Sequence, residues 1–181
     1  MATIDSFQAR FLRNIHGNPP VLIGGIGIPG LVVKEAASQT FGAGAPVRPD
    51  GTTGKIEEYT AANAVSFLYG QALEAASGTT DDPVLIRMYT PGDLWVMNYE
   101  DGATGGVTAL ALIGDAVCFN IEATTLHLKG DKTGFVVTKP FGNIVDIFCK
   151  EHGYGVADLL GDTNGRVVVE LQPGAYWGQS G

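Results

Sequence analysis

The chain has 181 residues, enough for one well-buried core or a core with a substantial appendage. Its 19 acidic and 11 basic residues leave a net charge of −8 with no Lys/Arg cluster to offset it, which argues against a nucleic-acid partner. No apolar run approaches the ~18 residues of a membrane helix, and MATIDSFQARF lacks the apolar core of a signal peptide, so a soluble protein without a visible export signal is expected.

A charged fraction of 17% beside 26 glycines suits a turn-rich β protein, or one partly covered by a partner. Cys118 and Cys149 have neither CxxC spacing nor a clustered His, and read as buried thiols.

In chain order, the first segment reads as a short helix. Ser6 caps it, Phe7, Phe11, Leu12 and Ile15 form an apolar stripe, and Gly17 with Asn18-Pro19-Pro20 ends it. So short a helix is marginal alone, so the stripe needs a surface, either its own domain or a neighbouring subunit. Residues 21–28 read as a Gly-weakened strand and Pro29-Gly30 as a turn. LVVKEAASQTF follows as strand or short helix. GAGAPVRPDGTTGK, residues 42–55, reads as a loop and a linker between an N-terminal arm and the main domain. In residues 56–76 helix-favouring alanines compete with a β-rich Val65–Tyr69, and the balance favours a strand from Ala64 to Glu74.

Residues 83–121 organise the chain. Val84–Tyr89 and Leu94–Tyr99 flank the turn Thr90-Pro91-Gly92-Asp93, and a fold-back there makes them a hairpin. Val107–Ile113, the turn Gly114-Asp115 and Ala116–Ile121 follow. Further strands are expected at Thr125–Leu128, Phe135–Thr138, Ile144–Cys149 and Arg166–Leu171. In the last, Val167, Val169 and Leu171 lie opposite Arg166, Val168 and Glu170. Asn164-Gly165 is a hairpin-turn signal. The expected fold is mainly β, a small antiparallel barrel or sandwich with an extended N-terminal arm and a minor helix. Its parts are residues 1–50 (arm, short helix and Gly/Pro-rich loop), 51–173 (β-rich core domain) and 174–181 (flexible tail).

Several short motifs look chemical and fail on context. Gly25-Ile26-Gly27-Ile28-Pro29-Gly30 spells G-x-G-x-x-G, but a β-branched run follows instead of a helix. Asp131-Lys132-Thr133-Gly134 has no phosphate-binding α/β domain around it and reads as a hairpin turn. Asp162-Thr163-Asn164-Gly165 resembles part of a calcium loop, but Leu160 and Leu171 stand where oxygen ligands belong. His16, His127 and His152 lie in separate segments without ligand spacing, and the acidic pairs Glu57-Glu58 and Asp81-Asp82 read as solvated loop charge. No catalytic, cofactor-binding or metal-binding residue is expected, and no cofactor.

Trp95, Met97 and Tyr99 share one strand face, a core or subunit-interface face more than a sugar platform. Tyr176 and Trp177 put two aromatics in a Gly-rich tail, where docking on something would bury them.

The second half resembles the small β-barrel cement (head decoration) proteins of tailed bacteriophages. The resemblance is carried by GDAVCFNI at 114–121, the strand Thr125–Leu128, GFVVTKPFGNIVDIF at 134–148 and RVVVELQP at 166–173, and spans about residues 83–173. It is one of pattern rather than of a signature motif. The sequence departs from that pattern by some 80 residues of preceding chain and by residues 150–165 in place of a short loop. The resemblance implies a non-enzymatic virion protein, made in the host cytoplasm and bound to the capsid exterior. Its partners would be the major capsid protein and copies of itself, often as trimers, with no nucleic acid or membrane. Partner contacts would then come from Phe7, Phe11, Leu12, Ile15, Trp95, Tyr99, Tyr176 and Trp177. Two rival readings stand beside it. One is a carbohydrate- or receptor-binding β module stacking sugars on Trp95, Tyr99, Tyr176 and Trp177; the other is a β-fold hydrolase using scattered carboxylates.

Overall fold

The computed structural model describes residues 9–24, 33–60, 69–100, 113–121, 128–131, 141–149, 153–154 and 166–172. Among these there is no helix, and the strands form two antiparallel sheets. The larger sheet runs in the order β1 (Arg10–Asn14), β7 (Asp93–Glu100), β12 (Arg166–Leu171), β10 (Phe141–Cys149), β8 (Ala116–Ile121) and β9 (Leu128–Asp131), with β11 (Gly153–Tyr154) paired to β10. The smaller has the order β2 (Leu22–Gly24), β6 (Leu85–Met88), β5 (Gly70–Ala72), β3 (Pro46–Pro49) and β4 (Ile56–Glu58). A short parallel contact of β9 with the far half of β7, Asn98 to Glu100 against Lys129 to Asp131, curls the larger sheet without merging the two into one barrel. The architecture is mainly β and fits a sandwich.

Alternation builds the first core. Trp95, Met97 and Tyr99 of β7 point inward with Val167, Val169 and Leu171 of β12, and Trp95 pairs directly with Val169 as Met97 does with Val167. Val117, Phe119, Ile144 and Ile147 complete this cluster. Ile144 and Ile147 are three apart, which strict alternation forbids on one face. A β-bulge resolves it: Ile144 faces Val169 and Asp146 faces Val168, so Val145 is the extra residue and the phase shifts by one. Without that shift Asp146 would point into the core.

The second core lies on the smaller sheet and gathers Ile23, Phe41, Val47, Ile56, Val84 and Ile86, among others. Gly24, at φ +83°, lets β2 close on β6, because a Cβ there would run into the carbonyl oxygen of Val84. Tyr59 and Tyr89 leave the smaller sheet to join the first core, and the Tyr89 ring lies 4.6 Å from that of Trp95.

Several expectations change here. The helix expected from Ser6 to Gly17 is, over residues 10–14, the edge strand β1 paired with β7. Backbone pairing to a formed sheet outweighs the weak preference of a short isolated helix. Residues 46–49 of the expected linker form β3, which pairs with β4 on one side and β5 on the other. The turn between β3 and β4 is held by Asp50, whose carboxylate accepts from Thr52 N (2.9 Å) and Thr53 Oγ1 (2.7 Å). The division at residue 50 therefore falls inside a hairpin. Within the expected N-terminal arm, β1 and β2 are edge strands of the two sheets. Residues 84–89 and 94–99 are extended but form no hairpin: the turn at 90–93 carries the chain from one sheet to the other. Of LVVKEAASQTF, residues 33–41 make only the isolated bridges Lys34 to Pro83 and Glu35 to Ile56. The expected strand at 64–74 is described from residue 69 on and contains β5; its residues 64–68, the expected strands at 107–112, 125–127 and 135–138, and His127 and His152 lie outside the described residues.

Candidate docking groove

The outward face of the larger sheet is not uniformly polar. Leu94 on β7 and Val168 on β12 both point away from the first core, yet they are 8% and 2% exposed. They floor a groove of about 350 Å³. Its walls are Leu12 and Ile15 on the β1 side and Val145 on the β10 side. Arg13, Asp146 and Glu170 stand at its rim with both signs of charge.

Two bulges make the walls. On β1, Phe11 faces Trp95 and Arg13 faces Leu94, so Leu12 is the unmatched residue. On β10 the unmatched residue is Val145. A bulge re-aims the side chain it carries. Here both re-aimed side chains are aliphatic and both border the same depression. Leu12 and Ile15 remain 47% and 46% exposed.

The Ile15 end of the groove is fixed by a buried polar knot. Asn14 Nδ2 donates to Asp93 Oδ1 (2.9 Å) and to Pro91 O (3.2 Å), while Asn14 Oδ1 accepts from His16 N (2.9 Å). Asp93 also accepts from Thr90 Oγ1 (2.8 Å) and Thr90 N (2.9 Å). Burial pushes the Asp93 carboxyl above its ordinary value, and the hydrogen bonds from Asn14 and Thr90 oppose that rise. The next residue, Ile15, donates its N–H to Gly92 O at 2.9 Å.

Of the sequence-derived candidates, Leu12 and Ile15 come together on this groove. Phe11 points the other way, half-buried, edge-on to Trp95 at 5.7 Å and under the guanidinium of Arg87 at 5.1 Å. Trp95 (0% exposed) and Tyr99 (5%) sit in the first core and present no surface to a partner or a sugar. Phe7, Tyr176 and Trp177 lie outside the described residues. Sequence reasoning missed Leu94, Val145 and Val168. One signal was visible: Val168 alternates onto the polar-facing side with Arg166 and Glu170, where an aliphatic residue wants cover.

Chemically the groove offers apolar contact and a mixed-charge rim. Among the described residues no group of three or more His, Cys, Asp or Glu is placed to hold a metal ion. Cys118 is buried as a thiol, and the Cys149 side chain is outside the described set. Comparison with protein families, curated proteins and solved structures finds no match to this chain.

Proposed function

We propose that the chain is a non-enzymatic virion structural protein that binds the outer surface of an icosahedral phage capsid, contacting the major capsid protein and self-associating there. One observation carries the reading. Of the five large apolar side chains exposed among the described residues, four (Leu12, Ile15, Val21 and Leu22) fall on β1, β2 and the link between them. Scattered apolar exposure is ordinary on any protein, whereas exposure concentrated along two edge strands consecutive in the chain suits a docking face.

The energetics suit a cement. An aliphatic side chain moved from full exposure to full burial gains about 1.5–3 kcal/mol, so a handful of half-exposed ones binds weakly. Repetition over a capsid lattice adds such sites by avidity, and binding only the mature lattice stabilises it by mass action. The net charge of −8 suits a protein partner better than a nucleic acid. The sugar-binding reading fares worse, because two of its four aromatics, Trp95 and Tyr99, are core residues.

Co-sedimentation with expanded and unexpanded shells of the cognate phage tests the proposal. Saturable binding to expanded shells alone, weakened by Leu22→Asp, is the expected result. Binding to neither shell overturns it.

A further inference from the structure

The outward face of the larger sheet is divided in both shape and charge. Residues paired across neighbouring strands share a face, so Arg13 of β1, Leu94 of β7 and Glu170 of β12 stand in one row. Val96 of β7, Val168 of β12 and Asp146 of β10 stand in the next. At the β1 edge the half-exposed Leu12 and Ile15 form an apolar ridge, and the groove floored by Leu94 and Val168 adjoins it. Positive charge is on the ridge side, from Arg10 and Arg13 of β1, and negative charge is on the far rim, from Asp146 and Glu170. Arg166 pairs with Asn98 one row further on, outside the groove lining.

We infer that a second copy of this chain occupies the groove across a two-fold axis parallel to the strands, the Leu12 and Ile15 ridge of each copy seated over Leu94 and Val168 of the other. A two-fold interface must be self-complementary, and here the ridge and the hollow it fills adjoin on one surface. Charge selects the axis. Two sheets packed face to face with aligned strands can be related by an axis along the strands or by one across them. An axis across the strands sets β1 on β1, so ridge meets ridge and Arg13 meets Arg13. An axis along the strands reverses the strand order, so ridge meets groove and Arg13 meets the Asp146 and Glu170 rim, twice per dimer. The net charge of −8 opposes association at long range, but at physiological salt it is screened beyond about 8 Å, whereas the rim charges come into contact. Four strands at about 4.8 Å spacing make the face only about 19 Å wide. That is narrow for the roughly 800 Å² per partner of a stable complex, so the dimer of free protein is a weak one.

The inference deepens the self-association in the shell-binding reading, but its test uses free protein, so the two fail separately. Sedimentation equilibrium of the intact chain reads it. The expected result is a monomer–dimer equilibrium that shifts with concentration. Arg13→Glu and Glu170→Arg are each expected to weaken it by on the order of tenfold or more, because each sets like charges together at two symmetric places. An equimolar mixture of these two variants is expected to dimerise as the wild type does, since the reversed pair and the native pair both attract. Leu12→Asp, at a half-exposed site, is expected to leave the chain monomeric with an unchanged circular dichroism spectrum. A chain that stays monomeric at millimolar concentration overturns the proposal, and so does a trimer. A dimer indifferent to both Arg13→Glu and Leu12→Asp, or a mixture of the charge variants that stays dissociated, overturns it equally. Shell binding by a chain that is monomeric in solution sinks this interface alone, and a dimer that ignores both shells sinks the shell reading alone.

Discussion

Asn14 Nδ2 donates to Asp93 Oδ1 at 2.9 Å, joining the last residue of β1 to the first residue of β7 with both side chains buried. The bond matters because β1 is an edge strand interrupted by the bulge at Leu12, and it adds a side-chain tie to the backbone bond from Ile15 N to Gly92 O at the same end. Asn14→Ala removes the donor to Asp93 and to Pro91 O, and the acceptor of His16 N. Asp93 Oδ1 keeps its bond from Thr90 Oγ1, so the loss is that of a hydrogen bond to a charged group, about 1.5–3 kcal/mol. Denaturant unfolding is expected to show a loss of that size, with faster hydrogen exchange at Ile15 N–H than at the amides of β12. Loss without that local acceleration would mean that the knot is not what holds β1.

Asp93 also gives stability a pH dependence of defined sign. Burial raises its folded-state value above the ordinary 3.8, with the bonds from Asn14 and Thr90 pulling against it. The folded protein therefore holds the proton more tightly than the unfolded chain. The contribution is fully present below the unfolded value and is lost as pH rises through the raised folded value. Measured against Asp93→Asn, wild-type stability is expected to be relatively greatest at the acid end and to decline as pH increases across that window. A relative gain with rising pH would show that the hydrogen bonds outweigh burial.

How much of this was legible beforehand depended on the local rule at work. Apolar and β-branched runs beside turn residues located Leu94–Tyr99, and alternation located Arg166–Leu171, because central strands with one core face carry a period of two. It failed where a bulge breaks that period. Phe7, Phe11, Leu12 and Ile15 fit a helical stripe, yet Phe11 faces Trp95, Leu12 is the unmatched residue of the bulge and Ile15 flanks a groove. The same interruption at Val145 hid a groove wall. Residues 42–55 read as linker because their glycines and prolines outweigh the β3 stretch Pro46–Pro49, whose strand character comes from neighbours on both sides. A Pro-Gly turn makes a hairpin and a sheet-to-sheet crossing equally well, so the fate of the chain after Tyr89 needed three dimensions.

Glu35 carries a second prediction about hidden polar structure. It is fully buried, with Oε2 accepting from Ser77 N (2.8 Å) and Ser77 Oγ (3.2 Å) and Oε1 accepting from Gly78 N (2.8 Å). The carboxylate pins a loop beside the second core. Hydrogen bonds to a charged group contribute about 1.5–3 kcal/mol, and the exposed loop amides can recover part of that from water, so Glu35→Ala is expected to cost about 2 kcal/mol. Ser77→Ala keeps both backbone donors and is expected to cost less than half as much. Equal losses from the two substitutions would shift the role from the backbone amides to the Ser77 hydroxyl.

Gly142 tests whether close packing or backbone freedom explains a glycine inside a central strand. It pairs with Leu171 on β12 and Val117 on β8, and its φ is outside the left-handed region, so strain is not the reason for glycine. Space is. A Cβ there would lie 2.5 Å from Glu170 O, closer still to Val169 Cγ1, and 3.2 Å from Phe119 Cζ. Overpacking a filled core costs about 1–3 kcal/mol, so Gly142→Ala is expected to lower the unfolding free energy by that amount although alanine suits a strand better than glycine. The double variant with Val169→Ala separates the two obstructions. Removing the Val169 methyls relieves the side-chain clash but not the one with the Glu170 carbonyl, which belongs to the β12 backbone. The cycle is expected to show a favourable coupling that falls short of full recovery. Full recovery would assign the whole penalty to Val169, and no coupling would place it on the backbone alone.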